Sequence, residues 1–226
     1  MNTKRIMSVD FHNHSEFSYD GHISLDDFLN TNDVDVFAIT DHNNMDFHKR
    51  YSLGSNLYKL GNKWFIAGEE ITTSDAGEII GLFLVDEVTP GMTLEQTIEA
   101  IKNQGGIVYL PHPCDFYRRG KPKLHVVKKY MEKIDIVEVF NAKYLTPLEA
   151  ILSYSFAKKY SKPFGFGSDA HKPEDLARGY VKLELPSEYL TKDILIKALA
   201  SRESIVNVVQ KRKSFMKRIL KILRRW

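Results

Sequence analysis

Residues 9–21 read VDFHNHSEFSYDG, in which an apolar, β-favouring run leads into metal-capable side chains and ends on the turn-forming pair Asp20-Gly21. Asp10, His12 and His14 alternate along this run, so they share one face of a strand. Two imidazoles on the same face can bind one metal ion from one side. A single His-x-His pair also occurs on ordinary protein surfaces, so the other strand ends must support the prediction of a metal site.

Outward from this stretch, the chain alternates between strand and helix patterns. The predicted strands are residues 6–12, 34–42, 63–73, 77–86, 106–112, 135–141, 163–171, 179–186 and 204–210. The predicted helices are residues 24–33, 47–60, 93–104, 124–133, 146–160 and 191–201. This alternation predicts parallel βαβ units and an α/β fold. About seven units form a compact barrel of the triose-phosphate-isomerase type, one unit short of eight. A doubly wound open sheet is the alternative, but no Gly-rich loop follows the first strand.

Composition predicts a globular intracellular protein. The 226 residues are 43% hydrophobic and 27% charged, which suits one domain with a sizeable core. The sequence has no apolar run of membrane-spanning length and no signal-peptide pattern at its start. Cys114 is the only cysteine, which excludes an internal disulfide framework. We therefore predict a cytoplasmic protein.

The basic charge is concentrated at the C-terminus. Residues 211–226 hold eight Lys or Arg and no acid, which leaves 24 basic and 29 acidic residues in positions 1–210. We predict a hydrolase domain over 1–210 and a basic amphipathic helix over 211–226. Such a helix docks on the acidic body or in a dimer, lies on an anionic membrane surface, or binds nucleic acid electrostatically. Of the outside partners, the membrane surface is favoured over nucleic acid.

Polar residues collect at the C-terminal ends of the predicted strands. They are Asp10, His12, His14, Asp41, His42, Glu69, Glu70, His112, Glu138, Asn141, Asp169 and His171. Each has an ordinary explanation, such as a helix cap or a rigid turn, but five strand ends carrying these residue types by coincidence is improbable. In a barrel these ends converge on one mouth, where active sites are built.

These stretches carry a resemblance. DFHNHSEFSYDG, AITDHN, GEEITT, PHP and GSDAH, in this order over residues 10–171, resemble the successive motifs of the PHP family, named for polymerase and histidinol phosphatase. The resemblance implies a distorted (β/α)7 TIM-like barrel with two or three divalent metals, Zn²⁺, Mn²⁺ or Fe²⁺, at its mouth. It also implies a metal-dependent phosphoesterase that acts on a small phosphorylated substrate.

The resemblance assigns ligands by position. The implied metal ligands are His12, His14, Asp20, His42, Glu70, His112, Asp169 and His171. Glu70 would bridge the first metal to the second, and Asp10 and Asp41 would orient histidines. Glu69 faces the opposite side of its strand. Many members carry a histidine in the next strand, but residues 77–84, GEIIGLFL, contain none. The second metal's remaining ligand therefore stays open between Glu138, Asn141 and water.

Such a ligand set predicts hydrolysis of a phosphate ester. Histidine and carboxylate ligands suit these ions, and a bound ion lowers the pKa of water to about 7. We expect in-line attack of metal-bound hydroxide on phosphorus, with Asp20 or His171 assisting the leaving group. Arg118 and Arg119 would bind phosphate oxygens, with Lys143 and Arg178 as further candidates.

Three alternatives remain at this point. A nuclease acting on single-stranded nucleic acid fits the same metal site, although the body is acidic and shows no basic stacking groove. A metal-binding module without activity is the second alternative. Hydrolysis of an amide or a lactone is the third.

Overall fold

The computed structural model describes residues 4–186 and 190–211, which form one ten-stranded sheet with six α-helices. The strands are β1 Arg5–Asn13, β2 Val36–Ile39, β3 Leu57–Leu60, β4 Lys63–Thr73, β5 Gly77–Leu82, β6 Ile107–Leu110, β7 Ile136–Asn141, β8 Phe164–Gly167, β9 Gly179–Leu185 and β10 Ile205–Gln210. The helices are α1 Leu25–Leu29, α2 Asp46–Tyr51, α3 Leu94–Asn103, α4 Leu124–Val127, α5 Pro147–Lys159 and α6 Lys192–Ala200.

The sheet is mixed, with the order β10-β9-β1-β2-β4-β5-β6-β7-β8 and with β3 paired to β4. Two parallel sets, β1-β2-β4 and β6-β7-β8, are joined through β5, which is antiparallel to both of its neighbours. At the other edge, β9 is antiparallel to β1 and to β10. The fold is therefore α/β, as predicted, but its strands are not all parallel.

The reversal at β5 follows from the length of its connection. Only three residues, 74–76, separate β4 from β5, whereas a parallel crossover needs a dozen or more. A hairpin is the only connection of that length, so β5 runs back along β4.

The sheet curls until its parallel sets meet. β8 lies beside β1, and Asn13 forms a parallel bridge with Ala170 beyond the end of β8. The amide of His14 donates to the Ala170 carbonyl at 2.9 Å, and the amide of Asp169 donates to the His12 carbonyl at 2.7 Å. The C-terminal ends of β1, β2 and β8 are thereby drawn to one place.

Two apolar clusters fill the space around the sheet. The larger one includes buried residues of β1, β4, β5, β6, β7 and β9 and of helices α3 and α6. The smaller one is aromatic: Phe28 of α1 packs edge-on against Phe37, Phe47 and Phe65. Burial of this area stabilises the strands whose polar ends form the site.

Most predicted helices are present, and two differ. Ser24 and Thr93 cap α1 and α3, and the side chains of Asp27 and Gln96 accept from the cap amides in return. The predicted helix over 47–60 is wrong in its second half, because α2 ends at Tyr51 and β3 pairs with β4. Leu53 and Gly54 both have positive φ, a conformation that ends a helix. The predicted helix over 124–133 is α4 followed by a 3-10 turn, Lys128–Tyr130.

The predicted basic helix over 211–226 lies outside the described residues, except for Lys211. That lysine pairs with Asp33 at 3.1 Å just after β10. The domain boundary at residue 210 and the role of the segment stay predictions. Among the described residues, no helix has the length and apolar character that a membrane crossing requires.

Candidate metal centre

The residues that the sequence predicts as metal ligands come together at one end of the curled sheet. His12 lies in β1 and His14 just beyond it, Glu70 lies in β4, His112 follows β6, and Asp169 and His171 follow β8. His42, beyond β2, forms a parallel bridge with Glu70. Asp20 joins them from the loop after β1, because its carboxylate lies 3.2 Å from His171 Nε2. All eight predicted ligands therefore lie in one cluster of donor groups.

The innermost group is formed by His12, His14 and Glu70, all fully buried. The Nε2 atoms of the two histidines are 3.2 Å apart, and each lies 3.3 Å from Glu70 Oε2. Asp169 Oδ1 lies 3.8 Å from His12 Nε2 and 3.6 Å from His14 Nε2. Four donor atoms therefore surround one small volume.

A second group lies on the other oxygen of Glu70. His112 Nε2 lies 2.9 Å from Glu70 Oε1 and 3.8 Å from Glu78 Oε2. The sequence prediction did not include Glu78. The signal that would find it is the β4–β5 register, in which Thr72 stands opposite Glu78 and Ile80 opposite Glu70. Opposed residues share a face, so Glu78 points to the same side as Glu70.

A third group, closer to solvent, contains His14, Asp20, His42 and His171. His42 Nε2 is 3.8 Å from Asp20 Oδ1, and its Nδ1 is 3.3 Å from Glu70 Oε2. The rings of His14 and His171 have their centroids 4.0 Å apart. Because Glu70 and His14 belong to two groups each, the three groups form one continuous cluster.

The backbone at two of these positions adopts an unusual conformation. His112 has φ 29° and Asp169 has φ 49°, both in the left-handed region. A non-glycine residue is held there at a cost of about 1–3 kcal/mol. At His112 the flanking residues Pro111 and Pro113 restrict the chain, and at Asp169 the amide is fixed by the His12 carbonyl. The fold holds both side chains toward the cluster in spite of that cost.

Glu138, one of the candidates for the remaining ligand of the second metal, supports the cluster from behind. Its Oε1 accepts from the Tyr109 hydroxyl at 3.1 Å and lies 3.2 Å from His12 Nδ1. Its Oε2 accepts from the His112 amide at 2.7 Å and from Asn141 Nδ2 at 3.0 Å. A proton on His12 Nδ1 leaves the Nε2 lone pair facing the cluster, which is the arrangement typical of a metal-binding histidine.

Asp10 and Asp41 differ from their predicted role of orienting imidazoles. Asp10 Oδ1 accepts from the amides of Ser168 and His12 at 3.0 and 3.4 Å. Asp41 accepts from the amide and the hydroxyl of Ser15 at 2.6 and 2.5 Å. Both carboxylates fix the backbone beside the histidines, not the rings. Glu69 accepts from the Val88 amide at 2.8 Å, on the face of β4 away from Glu70, as predicted.

Two cations border the cluster at Asp169. Arg118 Nη2 contacts Asp169 Oδ2, and Lys143 Nζ lies 3.0 Å from Oδ1 and 2.6 Å from His171 Nδ1. Arg119 is exposed in the same loop and is not brought into the cluster. Arg178 differs from these two cations, because its guanidinium donates to the Glu174 carbonyl at 2.9 Å and lies 3.5 Å from Asp175.

The electrostatics follow from this crowding of charges. Burial opposes ionisation of Asp169, but Arg118 and Lys143 hold its pKa well below the usual range. Burial likewise opposes ionisation of Glu70, and His12 and His42 hold its pKa well below normal. Burial and the neighbouring Glu70 raise the pKa of Glu78 to about 8. Neighbouring positive groups therefore favour the charged form of Asp169 and Glu70, whereas the charged form of Glu78 is disfavoured.

The donor set fits divalent metal ions. The lone pairs of His12 and His14 converge on the Glu70 carboxylate, and Glu78 Oε2 is buried with no hydrogen-bond partner. Buried polar atoms left without a partner are costly, and a cation among them removes that cost. Histidine and carboxylate ligands without thiolate suit Zn²⁺, Mn²⁺ or Fe²⁺.

Comparison with known proteins finds a family model that matches part of the chain and a relative that matches most of it. Residues 151–213 match a model described as PHP-associated. An uncharacterised protein of Methanocaldococcus jannaschii is 32% identical over 200 residues, which cover 84% of this chain and 78% of that protein.

Solved structures share the fold. A two-domain protein of Bacteroides vulgatus, containing a predicted PHP-like metal-dependent phosphoesterase, is similar with a TM-score of 0.69 and 18% identity, over 92% of this chain and 66% of that one. The lesion-specific endonuclease EndoQ of Pyrococcus furiosus is similar with a TM-score of 0.65 and 15% identity, over 91% of this chain and 59% of that one. The chain thus spans less than two thirds of either structure, and the likeness is one of fold.

Proposed function

The chain belongs to the PHP family, and from this premise we propose that it is a metal-dependent phosphoesterase acting on a small phosphorylated metabolite or nucleotide. One observation carries the proposal. Glu70 and His14 each belong to two donor groups and so join the groups into one cluster, and two cations reach that cluster at Asp169. In this proposal the curled sheet is a distorted (β/α)7 barrel with the cluster at its mouth.

The proposed ligands divide by depth. His12, His14, Glu70 and Asp169 would hold the deepest ion, Glu70 and His112 a second, and Asp20, His42 and His171 a third. When bound, such ions lower the pKa of water and neutralise the charge of phosphate oxygens. Glu138 keeps the Nδ1 proton of His12 in place, so that Nε2 stays available to an ion.

Arg118 and Lys143 are proposed to bind the phosphate group of the substrate. Their charged ends already lie at Asp169, so a phosphate at the edge of the cluster is within their reach. The planar guanidinium of Arg118 offers two parallel donors, which match two phosphate oxygens. Asp115, 3.4 Å from Arg118 Nε, holds the side chain in that direction.

Asp20 and His171 are proposed to stabilise the leaving oxygen. Of the eight predicted ligands they are the two least buried, and their side chains are 3.2 Å apart. A group at the rim can meet the departing part of the substrate, whereas the buried histidines below it cannot. The exposed ring of Tyr19 stacks over His42 on the same rim, with the ring centroids 5.0 Å apart.

The proposal is tested by a screen of phosphate esters with protein loaded with Mn²⁺ or Zn²⁺. We expect phosphate release that His12→Ala abolishes and that the matched variant His125→Ala retains, because His125 is exposed on α4. Release that survives His12→Ala, or no release from any phosphate ester alongside turnover of lactones or amides, would overturn the proposal.

The dependence of turnover on salt concentration distinguishes a nuclease from the proposed phosphoesterase. A polynucleotide contacts many cations, so its turnover falls steeply with salt concentration. With 24 basic and 29 acidic residues in positions 1–210, we expect a shallow salt dependence and no cleavage of single-stranded DNA or RNA.

A further inference from the structure

We propose that Glu78 completes the second ion position, together with Glu70 and His112, and that this carboxylate shifts the metal preference of the position from Zn²⁺ toward Mn²⁺. The inference rests on the metal centre of the proposed function but not on hydrolysis.

The β4–β5 hairpin fixes the direction of Glu78. Glu70 stands opposite Ile80 and Thr72 stands opposite Glu78, so these four residues lie on one face of the sheet. The Glu70 carboxylate is divided on that face: Oε2 faces His12 and His14, and Oε1 faces His112. Glu78 approaches from the Oε1 side, where it adds a third donor residue to Glu70 and His112.

Distances and burial place the Glu78 carboxylate within the donor set. One donor atom each of Glu70, Glu78 and His112 lies within 4.8 Å of the others. The Glu78 side chain is only 13% exposed, and its Oε2, 3.8 Å from His112 Nε2, has no hydrogen-bond partner. A buried carboxylate oxygen beside a second carboxylate is unfavourable unless a cation lies between them. The nearby Arg118 is held by Asp169 and Asp115.

The loop over the site holds Glu78 in position. The Glu78 amide donates to the Gly120 carbonyl at 2.9 Å. A Cβ at Gly120 would come within 2.2 Å of Glu78 Oε1. The backbone of the loop therefore lies directly against the Glu78 carboxylate.

The oxygen and nitrogen ligand atoms of each position determine its preference between Mn²⁺ and Zn²⁺. With Glu78 the second position offers two carboxylates and one imidazole, whereas the first position offers two carboxylates and two imidazoles. Oxygen-rich sites suit Mn²⁺ and Mg²⁺, and nitrogen-rich sites suit Zn²⁺. The second position is therefore expected to discriminate less in favour of Zn²⁺ than the first.

The test measures metal binding to the full chain without reference to turnover. Chelator-stripped protein is titrated with Mn²⁺ or Zn²⁺ by calorimetry, and bound metal is counted after dialysis. We expect Glu78→Gln to lose one Mn²⁺ per chain, or to bind it at least tenfold more weakly. Glu78→His should shift the Mn²⁺/Zn²⁺ preference at least tenfold toward Zn²⁺. The control variant Glu99→Gln, an exposed acid on α3, should bind as the wild type does.

Thermal unfolding of the stripped protein separates a ligand from a structural carboxylate. If Glu78 serves the ion, Glu78→Gln leaves the stripped protein at least as stable, because it removes a buried carboxyl oxygen that has no hydrogen-bond partner. Unchanged Mn²⁺ binding by Glu78→Gln, or a lower Tm of its stripped form with no change in metal count, would overturn the inference. If the wild type hydrolyses no phosphate ester but Glu78→Gln loses Mn²⁺, the inference stands and the proposed function fails.

Discussion

The substitution Glu138→Gln tests whether a buried carboxylate behind the cluster controls the protonation of His12. All of its neighbours donate to it: the Tyr109 hydroxyl and His12 Nδ1 at Oε1, and the His112 amide and Asn141 Nδ2 at Oε2. Glutamine must turn an NH₂ group toward one of these pairs. The 2.7 Å contact with the His112 amide prevents that group from replacing Oε2, because a backbone N–H cannot become an acceptor.

The NH₂ group must therefore face Tyr109 and His12. The hydroxyl of Tyr109 can rotate and accept, but His12 Nδ1 can accept only if its proton moves to Nε2. That proton would point at Glu70 Oε2, 3.3 Å away, where the ion is expected. Loss of such an outer partner lowers metal affinity about 10–100-fold, or about 1.4–2.7 kcal/mol.

The assay is titration of stripped Glu138→Gln with Zn²⁺, compared with the wild type and with Glu132→Gln, an exposed acid in a neighbouring turn. Circular dichroism checks that the variant is folded. Wild-type affinity in a folded Glu138→Gln would refute the argument, because the His12 proton would then be independent of Glu138.

Three further predictions concern the substrate cations, pH and the C-terminal segment. Arg118→Gln should lower kcat/KM for a phosphate ester more than tenfold while metal content is kept, and Arg119→Gln should have little effect; equal effects would exclude a specific role for Arg118. Burial lowers the pKa of His48 from 6.5 to about 4. Between these pH values the imidazole therefore binds a proton in the unfolded chain but not in the folded protein. Urea titrations should therefore show that about 3 kcal/mol of stability is lost between pH 6.5 and 4, and that His48→Gln lacks this part of the loss; identical pH profiles would contradict it. Deletion of residues 211–226 should leave phosphate release intact, because residues 12–171 supply the whole cluster, and a liposome assay of the same variant decides whether the segment binds anionic membrane.

The sequence predicts the cluster well because its residues lie at strand ends. Asp10, His12 and His14 alternate along one strand, and the curl of the sheet brings the end of β8 beside the end of β1. His42, Glu70, His112 and Asp169 reach the same place for this reason. Their roles as ligands stay predictions until a metal is measured.

The residues that the sequence missed depend on contacts between distant segments. Glu78 joins the cluster only through the register of β5 on β4, which residue types alone do not specify. Glu138 meets His12 across 126 positions of sequence, so its supporting role is invisible along the chain. The segment 57–60 has a helix-like pattern in sequence but pairs with β4 as β3, because tertiary pairing outweighs local propensity.

Anomalous diffraction from crystals grown with Mn²⁺ tests the central claim most directly. The account predicts peaks within about 2.5 Å of His12 Nε2, His14 Nε2 and the Glu70 carboxylate, with a second peak between Glu70, Glu78 and His112. Peaks found only elsewhere on the protein, or none in protein shown to contain metal, would contradict it.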